Sequence, residues 1–132
     1  MTPVAKDATA GYRPCLVLAH RDPALSRETA RRFRRLGWDV YQAQSGAEAR
    51  RLARMMGAEL TILDVDLDDE SGWLVCAKLR RELPASRVVL VGDAACSRSQ
   101  QMAAFVGASA LVPPGEGIAG LLQADWTRPN AA

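Results

Sequence analysis

The sequence lacks most of the residues from which metal centres, redox centres and nucleotide-binding loops are built. It has one histidine, and its three cysteines are widely spaced, with no CxxC pair and no metal-ligand spacing. Each cysteine lies in or beside an apolar segment, so we predict three buried, reduced thiols (Cys15, Cys76 and Cys96). No glycine-rich loop follows the first apolar segment, which argues against a nucleotide-binding enzyme.

Long apolar runs and a strong net charge are also absent. No run approaches the roughly 20 residues that span a bilayer, and the first residues, MTPVAKDATAGYRP, contain no apolar signal-peptide core. We therefore expect a cytoplasmic protein with no membrane partner. The formal net charge of +2 is too small to indicate a nucleic-acid partner by itself.

The composition is that of an ordinary globular domain. Apolar residues make up 48% of the 132 residues and charged residues 24%, which suits one domain with its own core. Residues 1–12 are small and polar and contain a proline and a glycine, so we expect a loose leader there. We expect a single domain over residues 13–125 and a polar tail over residues 126–132.

The stretch ELTILDVDLDDESG, residues 59–72, combines a predicted strand with an acidic loop. Residues 60–63 form a short apolar run of the kind that is buried on both faces of a parallel sheet. Asp64 then falls at the carboxyl end of that strand, where α/β proteins build their sites. Four more acids fill the loop before Gly72 (Asp66, Asp68, Asp69 and Glu70). Asp64 could also simply cap the next helix, so its role has to be inferred together with the rest of the sequence.

Strand and helix patterns alternate along the chain. Strands are predicted at 15–19, 39–44, 60–64, 87–91 and 110–112. Helices are predicted at about 23–36, 45–56, 71–83, 97–106 and 118–124. This alternation predicts an α/β fold with right-handed βαβ units, a doubly wound five-stranded parallel sheet of the flavodoxin-like type. The second strand is the most polar and suits an edge, which favours the strand order 2-1-3-4-5.

The first four predicted helices each have apolar-compatible residues that we predict to face the sheet. These are Leu25, Thr29, Phe33 and Leu36, then Ala49, Leu52, Ala53 and Met56, then Val75, Cys76, Leu79 and Leu83, then Met102, Ala103 and Val106. Asp22 before Pro23 is a predicted N-cap, and Ser45 with Glu48 is a predicted capping box.

The order 2-1-3-4-5 brings the carboxyl ends of strands one and three side by side. His20, Arg21 and Asp22 follow strand one, so we expect them to face Asp64 across a crevice. The remaining neighbours follow strands three, four and five and are Asp66, Gly92, Asp93, Pro113 and Pro114. The sequence therefore predicts one polar cluster at this edge of the sheet.

In these features the sequence resembles the receiver domain of two-component response regulators over about residues 14–124. LDVDLDDESG resembles the phosphoacceptor segment of that family, with a glycine eight residues after the aspartate, and GASALV resembles the segment before its last strand. The resemblance implies that Asp64 accepts a phosphoryl group from a histidine kinase. It also implies an acidic pair that holds a divalent cation, a hydroxyl after strand four and a lysine after strand five.

Four of the five functional positions of the family are altered. His20 and Arg21 stand where the acidic pair belongs. Asp22 is the only acid nearby, one place too late, and equally suits the helix cap. Three further substitutions replace the hydroxyl residue, the lysine and the aromatic residue of strand five, and these are Gly92, Pro113 or Pro114, and Leu111.

Arg21 brings a fixed positive charge to the place expected for the cation. A guanidinium about 4 Å from Asp64 gains on the order of 4 kcal/mol of gross Coulomb energy at an effective dielectric constant near 20. Desolvation cancels part of this gain. We hypothesise that an ion pair between Arg21 and Asp64 replaces the metal, so no cofactor is expected. Mg²⁺ is expected only if Asp64 is phosphorylated in the conventional way.

We therefore expect a stand-alone, atypical receiver, a pseudo-receiver that acts by protein–protein interaction and is not an enzyme. We expect no output domain, so that output passes through a sensor histidine kinase, another signalling protein or a homodimer. The alternative is a conventional receiver phosphorylated on Asp64, with Asp22 or Asp66 helping to hold a weak cation. The fold alone also admits a nucleotide-binding enzyme. The arginines of the first two predicted helices could meet nucleic acid or an acidic partner, but a solvated charged face explains them more simply.

Overall fold

The structure, a computed structural model, describes residues 13–114 as five strands and four helices. The strands are β1 (Cys15–Ala19), β2 (Asp39–Gln42), β3 (Leu60–Asp64), β4 (Arg87–Val91) and β5 (Ala110–Val112). The helices are α1 (Pro23–Arg35), α2 (Gly46–Met56), α3 (Gly72–Glu82) and α4 (Ser97–Val106). None of these four helices is long and apolar enough to cross a membrane. The predicted leader, the predicted helix at 118–124 and the predicted tail lie outside the described residues.

All five strands pair in parallel, in the order β2-β1-β3-β4-β5. This confirms the predicted fold and places β2 at an edge. The register aligns Ala19 with Leu63 and Asp64 with Val91, so the carboxyl ends of β1, β3 and β4 lie side by side. β2 ends before its predicted limit at residue 44. The reason is that Gln44 donates its backbone N–H to the side chain of Glu48 in α2 instead of extending the strand.

The sheet is buried on both faces, because described helices pack on each of them. α1 packs Ala30 and Phe33 on one face, against residues that include Leu16 and Ile62. The other three helices cover the opposite face with small and branched side chains, namely Ala49, Ala53, Val75, Cys76, Leu79, Ala103 and Val106. Every residue of the central strand β3 is buried, as its apolar sequence predicts.

Three residues predicted to face the sheet are exposed instead, and these are Leu36 (52%), Met56 (40%) and Met102 (41%). Leu36 lies just past the end of α1, where the chain turns through Gly37 with a left-handed φ of 98°. Met56 is the last residue of α2, before another left-handed glycine. Met102 is rotated by about 100° on α4 from its neighbour Ala103, which is the residue that packs inward.

Trp38 occupies the core beneath α1, where Leu36 was predicted to pack. It is completely buried, and its ring meets that of Phe33 edge-to-face, with centroids 5.9 Å apart and planes at 85°. The backbone N–H of Trp38 donates to the carbonyl of Phe33 at 3.1 Å, which folds the chain back under the helix. The turn after α1 therefore inserts a large aromatic side chain that the helical pattern did not predict.

The predicted N-caps of α1 and α2 are both present. The Oδ1 atom of Asp22 accepts the backbone N–H groups of Ala24 (3.0 Å) and Leu25 (3.4 Å). The Oγ atom of Ser45 accepts the backbone N–H of Glu48 at 3.0 Å. These bonds satisfy N–H groups that the first turn of a helix leaves unpaired. They fix the points at which the chain leaves β1 and β2, at the edge of the sheet that carries Asp64.

The three cysteines are free thiols, as predicted, but only Cys76 is buried. Burial raises the pKa of Cys76 to about 11, so this thiol stays protonated at neutral pH. Cys15 and Cys96 are half-buried, which corrects the prediction that all three lie in the core.

Candidate functional site

Asp64 ends the central strand and is only 3% exposed. Its Oδ1 atom accepts the backbone N–H of Asp66 at 2.9 Å, and its Oδ2 atom accepts the backbone N–H of Arg21 at 3.1 Å. The first bond closes the turn after β3, and the second ties β3 to the loop after β1. The side chain that caps α3 is that of Ser71, which accepts the N–H of Leu74 at 3.2 Å. Asp64 is therefore not a helix cap.

Arg21 contacts two carboxylates at once. Its Nε atom lies 3.4 Å from Oδ2 of Asp64, and its Nη2 atom lies 3.6 Å from Oδ2 of Asp66. The predicted contact between Arg21 and Asp64 is thus present. The guanidinium is 61% exposed, so solvent screens the pair and its net contribution to stability is well below the gross Coulomb energy.

His20 is a neutral neighbour of Asp64 at neutral pH. Its side chain is 9% exposed, and burial, opposed by the charges of Asp64 and Asp22, lowers its pKa below the ordinary value. The Nδ1 atom accepts the backbone N–H of Asp22 at 3.0 Å, which places the ring proton on Nε2. The 3.7 Å approach of Nδ1 to Oδ2 of Asp64 is therefore not an ion pair in this state.

An open cleft of about 460 Å³ lies at the carboxyl ends of β1, β3 and β4. Besides Asp64, it is lined by most of the predicted neighbours, namely His20, Arg21, Asp22, Asp66, Gly92, Asp93 and Pro114. Leu25 and Val91 also line it, and neither was predicted as a neighbour of Asp64 from the sequence. Pro113 lies instead on a small apolar cavity that Leu18 and Ile62 help to line. The functional roles of these residues stay predictions.

Val65 fills the space that a side chain at position 92 would need. A Cβ atom on Gly92 would lie 2.8 Å from Cγ2 of Val65 and 3.6 Å from Cδ1 of Leu111. A contact under 3.0 Å forces the branched valine side chain to move. The position at which the resemblance places a hydroxyl residue therefore carries glycine, and a side chain introduced there would require Val65 to move. No pattern in the sequence identified Val65 as part of the site.

Two of the four acids in the loop after β3 bond to other parts of the domain instead of lining the cleft. Asp69 accepts the backbone N–H groups of Gly46 (2.8 Å) and Ala47 (2.9 Å) at the start of α2. These bonds lower the pKa of Asp69 to about 2. Glu70 pairs with Lys78 of α3 at 3.2 Å. Of the loop acids, only Asp66 lines the cleft.

Asp69→Asn is expected to lower the free energy of unfolding at neutral pH by about 1 kcal/mol, because the amide lacks the negative charge at the start of α2 and keeps only one of the two accepting oxygens. The folded-state pKa lies below the ordinary value of 3.8. The contribution of Asp69 is therefore complete above that value and is lost as the pH falls through about 2. Urea unfolding of the wild-type and Asp69→Asn proteins, at neutral pH and at about pH 3, measures how the difference in their free energies of unfolding changes with pH.

Asp68→Asn is the matched control for this prediction, because Asp68 is an exposed acid of the same loop. We expect a change within about 0.5 kcal/mol for this variant. Equal losses in the two variants would contradict a specific function of Asp69 at the start of α2.

The residues of the cleft do not fit a divalent cation. Within residues 13–114 no group of three or more acidic, histidine or cysteine side chains is arranged to hold a metal ion. Arg21 has no lone pair to offer, and the Nδ1 lone pair of His20 is taken by the N–H of Asp22. The guanidinium of Arg21 already faces Asp64 and Asp66. The positions at which the resemblance places an acidic pair thus carry His20 and Arg21, of which the first has no free lone pair for a cation and the second repels it.

The chain is similar in sequence to known receiver domains. The family model for the response regulator receiver domain matches residues 17–114. The DNA-binding dual master transcriptional regulator RpaA of Synechocystis sp. is 33% identical over 69 residues, which are 52% of this chain and 29% of that protein. The chain spans about a third of the length of the curated relatives that it matches.

Solved structures share the fold at low sequence identity. A CheY-like response regulator receiver domain protein from Methanospirillum hungatei JF-1 has a TM-score of 0.78 and 19% identity, covering 85% of this chain and 90% of that one. A response regulator protein from Burkholderia pseudomallei, solved with a phosphorylated aspartic acid, a calcium ion and citrate, has a TM-score of 0.75 and 23% identity. That match covers 83% of this chain and 64% of the other.

Proposed function

The chain belongs to the response regulator receiver family, and we propose that it is an atypical member that signals by binding a protein partner. In this proposal Asp64 undergoes little or no metal-dependent phosphorylation. Receiver domains are signalling domains that interact with histidine kinases and other signalling proteins. The partner proposed here is a protein of that kind, a sensor histidine kinase or another component of the same pathway.

The contact of Arg21 with Asp64 is the observation that carries this proposal. A carboxylate that attacks a phosphoryl group needs a nearby cation to offset negative charge on both reactants. Here the cation beside Asp64 is a guanidinium, 3.4 Å from Oδ2, and the same oxygen accepts the N–H of Arg21. These contacts occupy the oxygen that would otherwise be open to a metal ion or a phosphoryl group.

The other altered positions support the same proposal. A phosphoryl group on Asp64 would find no hydroxyl at Gly92, where Val65 fills the space of a side chain. It would find no ammonium group at Pro114, which lines the cleft after β5. A product without these partners would lack the charge-assisted hydrogen bonds that stabilise phosphoryl oxygens.

DNA binding does not follow from the similarity to RpaA. That protein is described as DNA-binding, but the match covers only 29% of its length. Phosphorylation in turn is described for the Burkholderia pseudomallei structure, which is 23% identical. The alternative function for this chain is a conventional phosphoacceptor receiver, and the buried Asp64 at the strand end favours it.

Exposure to a small phosphodonor with Mg²⁺, followed by intact mass measurement, separates the two functions. We expect the wild-type protein to show no added phosphoryl group, and Asp64→Ala and Asp64→Asn to give the same result. A conventional receiver treated in parallel shows that the donor is active. An adduct on the wild-type protein that both substitutions remove would overturn the proposal.

A further inference from the structure

Each carboxylate around the cleft already has a partner within the domain. Asp22 caps α1, and Asp93 accepts the backbone N–H of Ala95 at 3.1 Å. Asp64 accepts two backbone N–H groups, and both Asp64 and Asp66 face the guanidinium of Arg21. These four acids are thus bonded within the domain. Of the bonding partners named here, the side chain of Arg21 is the one that carries charge.

The charge of the cleft depends on that single side chain. Among residues 13–114, four carboxylates line it and Arg21 is the only cationic lining residue, because His20 stays neutral at neutral pH. Without the guanidinium, Asp64 and Asp66 would face each other's charge with no cation between them. Uncompensated like charges raise the attraction of a site for any cation that can reach it.

The backbone and the side chain of Arg21 have separate functions. The N–H that donates to Asp64 belongs to the backbone and stays when the side chain is changed. The guanidinium is 61% exposed, so its replacement leaves no buried cavity. Substitutions at position 21 therefore remove the positive charge without removing the bond that ties β1 to β3.

From this arrangement we infer that Arg21 is the residue that excludes divalent cations from the cleft, by acting as its resident cation. The inference rests on the proposed function, in which Asp64 works without a metal ion. It goes further by assigning the absence of metal binding to the side chain of Arg21. Replacing the guanidinium should let Asp64 and Asp66 bind a divalent cation that the wild-type protein does not take up.

Titration of metal-free protein with Mg²⁺ or Mn²⁺ in a calorimeter tests this inference. We expect no saturable binding to the wild-type protein. Arg21→Gln should bind the ion. Arg21→Asp should bind it at least about tenfold more tightly than Arg21→Gln does, which corresponds to about 1.4 kcal/mol of binding free energy. Adding Asp64→Asn to Arg21→Asp should abolish binding. Thermal unfolding without metal checks that each variant is folded.

Arg27→Gln and Arg27→Asp are the matched controls, since Arg27 is an exposed arginine of α1 that does not line the cleft. They make the same changes in net charge and should bind no metal ion. Equal binding by wild-type protein and Arg21→Asp would overturn the inference. So would folded Arg21 variants that bind nothing, or binding in Arg21→Asp alone, which would assign the site to the new acid.

The metal titration and the phosphodonor experiment can fail separately. A phosphoryl adduct on the wild-type protein contradicts the proposed function, whatever the Arg21 variants bind. Absence of metal binding in the Arg21 variants contradicts the function assigned to Arg21, whether or not the wild-type protein forms an adduct.

Discussion

Gly72→Ala is expected to lower the free energy of unfolding by about 3 kcal/mol, at the upper end of the usual cost of overpacking. A Cβ atom at this position would clash with the carbonyl oxygen of Asp64 and would lie 2.9 Å from Cα of Val65. Both are backbone atoms of the turn after β3 and cannot rotate away. The glycine therefore lets α3 begin against the strand end that carries Asp64. Urea unfolding followed by circular dichroism measures the loss.

Gly57→Ala is the control that separates a clash from backbone strain. Gly57 has a left-handed φ of 61°, and a Cβ atom there would meet nothing within 4 Å. Its substitution should cost about 1 kcal/mol from strain alone. At position 72, by contrast, alanine favours the helix over glycine by up to about 1 kcal/mol, which offsets part of the cost of the clash. A Gly72→Ala protein as stable as Gly57→Ala would contradict the predicted clash.

Trp38→Ala is expected to cost about 4 kcal/mol, since truncating a fully buried tryptophan leaves a large cavity. Trp38 has no exposed surface, and it packs on Phe33 in the core between α1 and the sheet. The loss should come from this packing rather than from the cleft. Urea unfolding measures the loss in free energy.

Leu36→Ala is the matched control, because Leu36 lies two residues away in the sequence and is 52% exposed. Its substitution should change stability by less than about 0.5 kcal/mol. A double-mutant cycle with Phe33→Leu should give a coupling of about 1 kcal/mol for the edge-to-face ring pair. Equal costs for Trp38→Ala and Leu36→Ala would mean that the core beneath α1 is not packed as described.

Local sequence patterns predicted the fold because strands and helix starts depend mainly on residues that are close together in the sequence. The apolar run before Asp64 specified a strand buried on both faces, and Asp22 and Ser45 specified two helix starts. The wrong predictions concern side chains whose burial depends on packing between elements that are distant in the sequence. Leu36 fits the helical period of α1, yet the turn at Gly37 brings Trp38 into the core in its place.

The site was predictable to the extent that parallel strands end at one edge. That rule placed His20, Arg21 and Asp22 beside Asp64, and all of them line the cleft with it. The sequence could not show which acids are held by other elements, such as Asp69 at the start of α2. Such contacts join residues far apart in the chain, and no local spacing encodes them.

The packing of Val65 against Gly92 makes the introduction of a hydroxyl at position 92 depend on the order of substitutions. A serine or threonine introduced first at position 92 would meet Cγ2 of Val65 at its Cβ atom and destabilise the fold. A smaller residue at position 65 has to come first, and by itself it removes buried apolar surface and leaves the cleft without its hydroxyl. Each single step is unfavourable, so the two positions together oppose the introduction of a hydroxyl into the cleft.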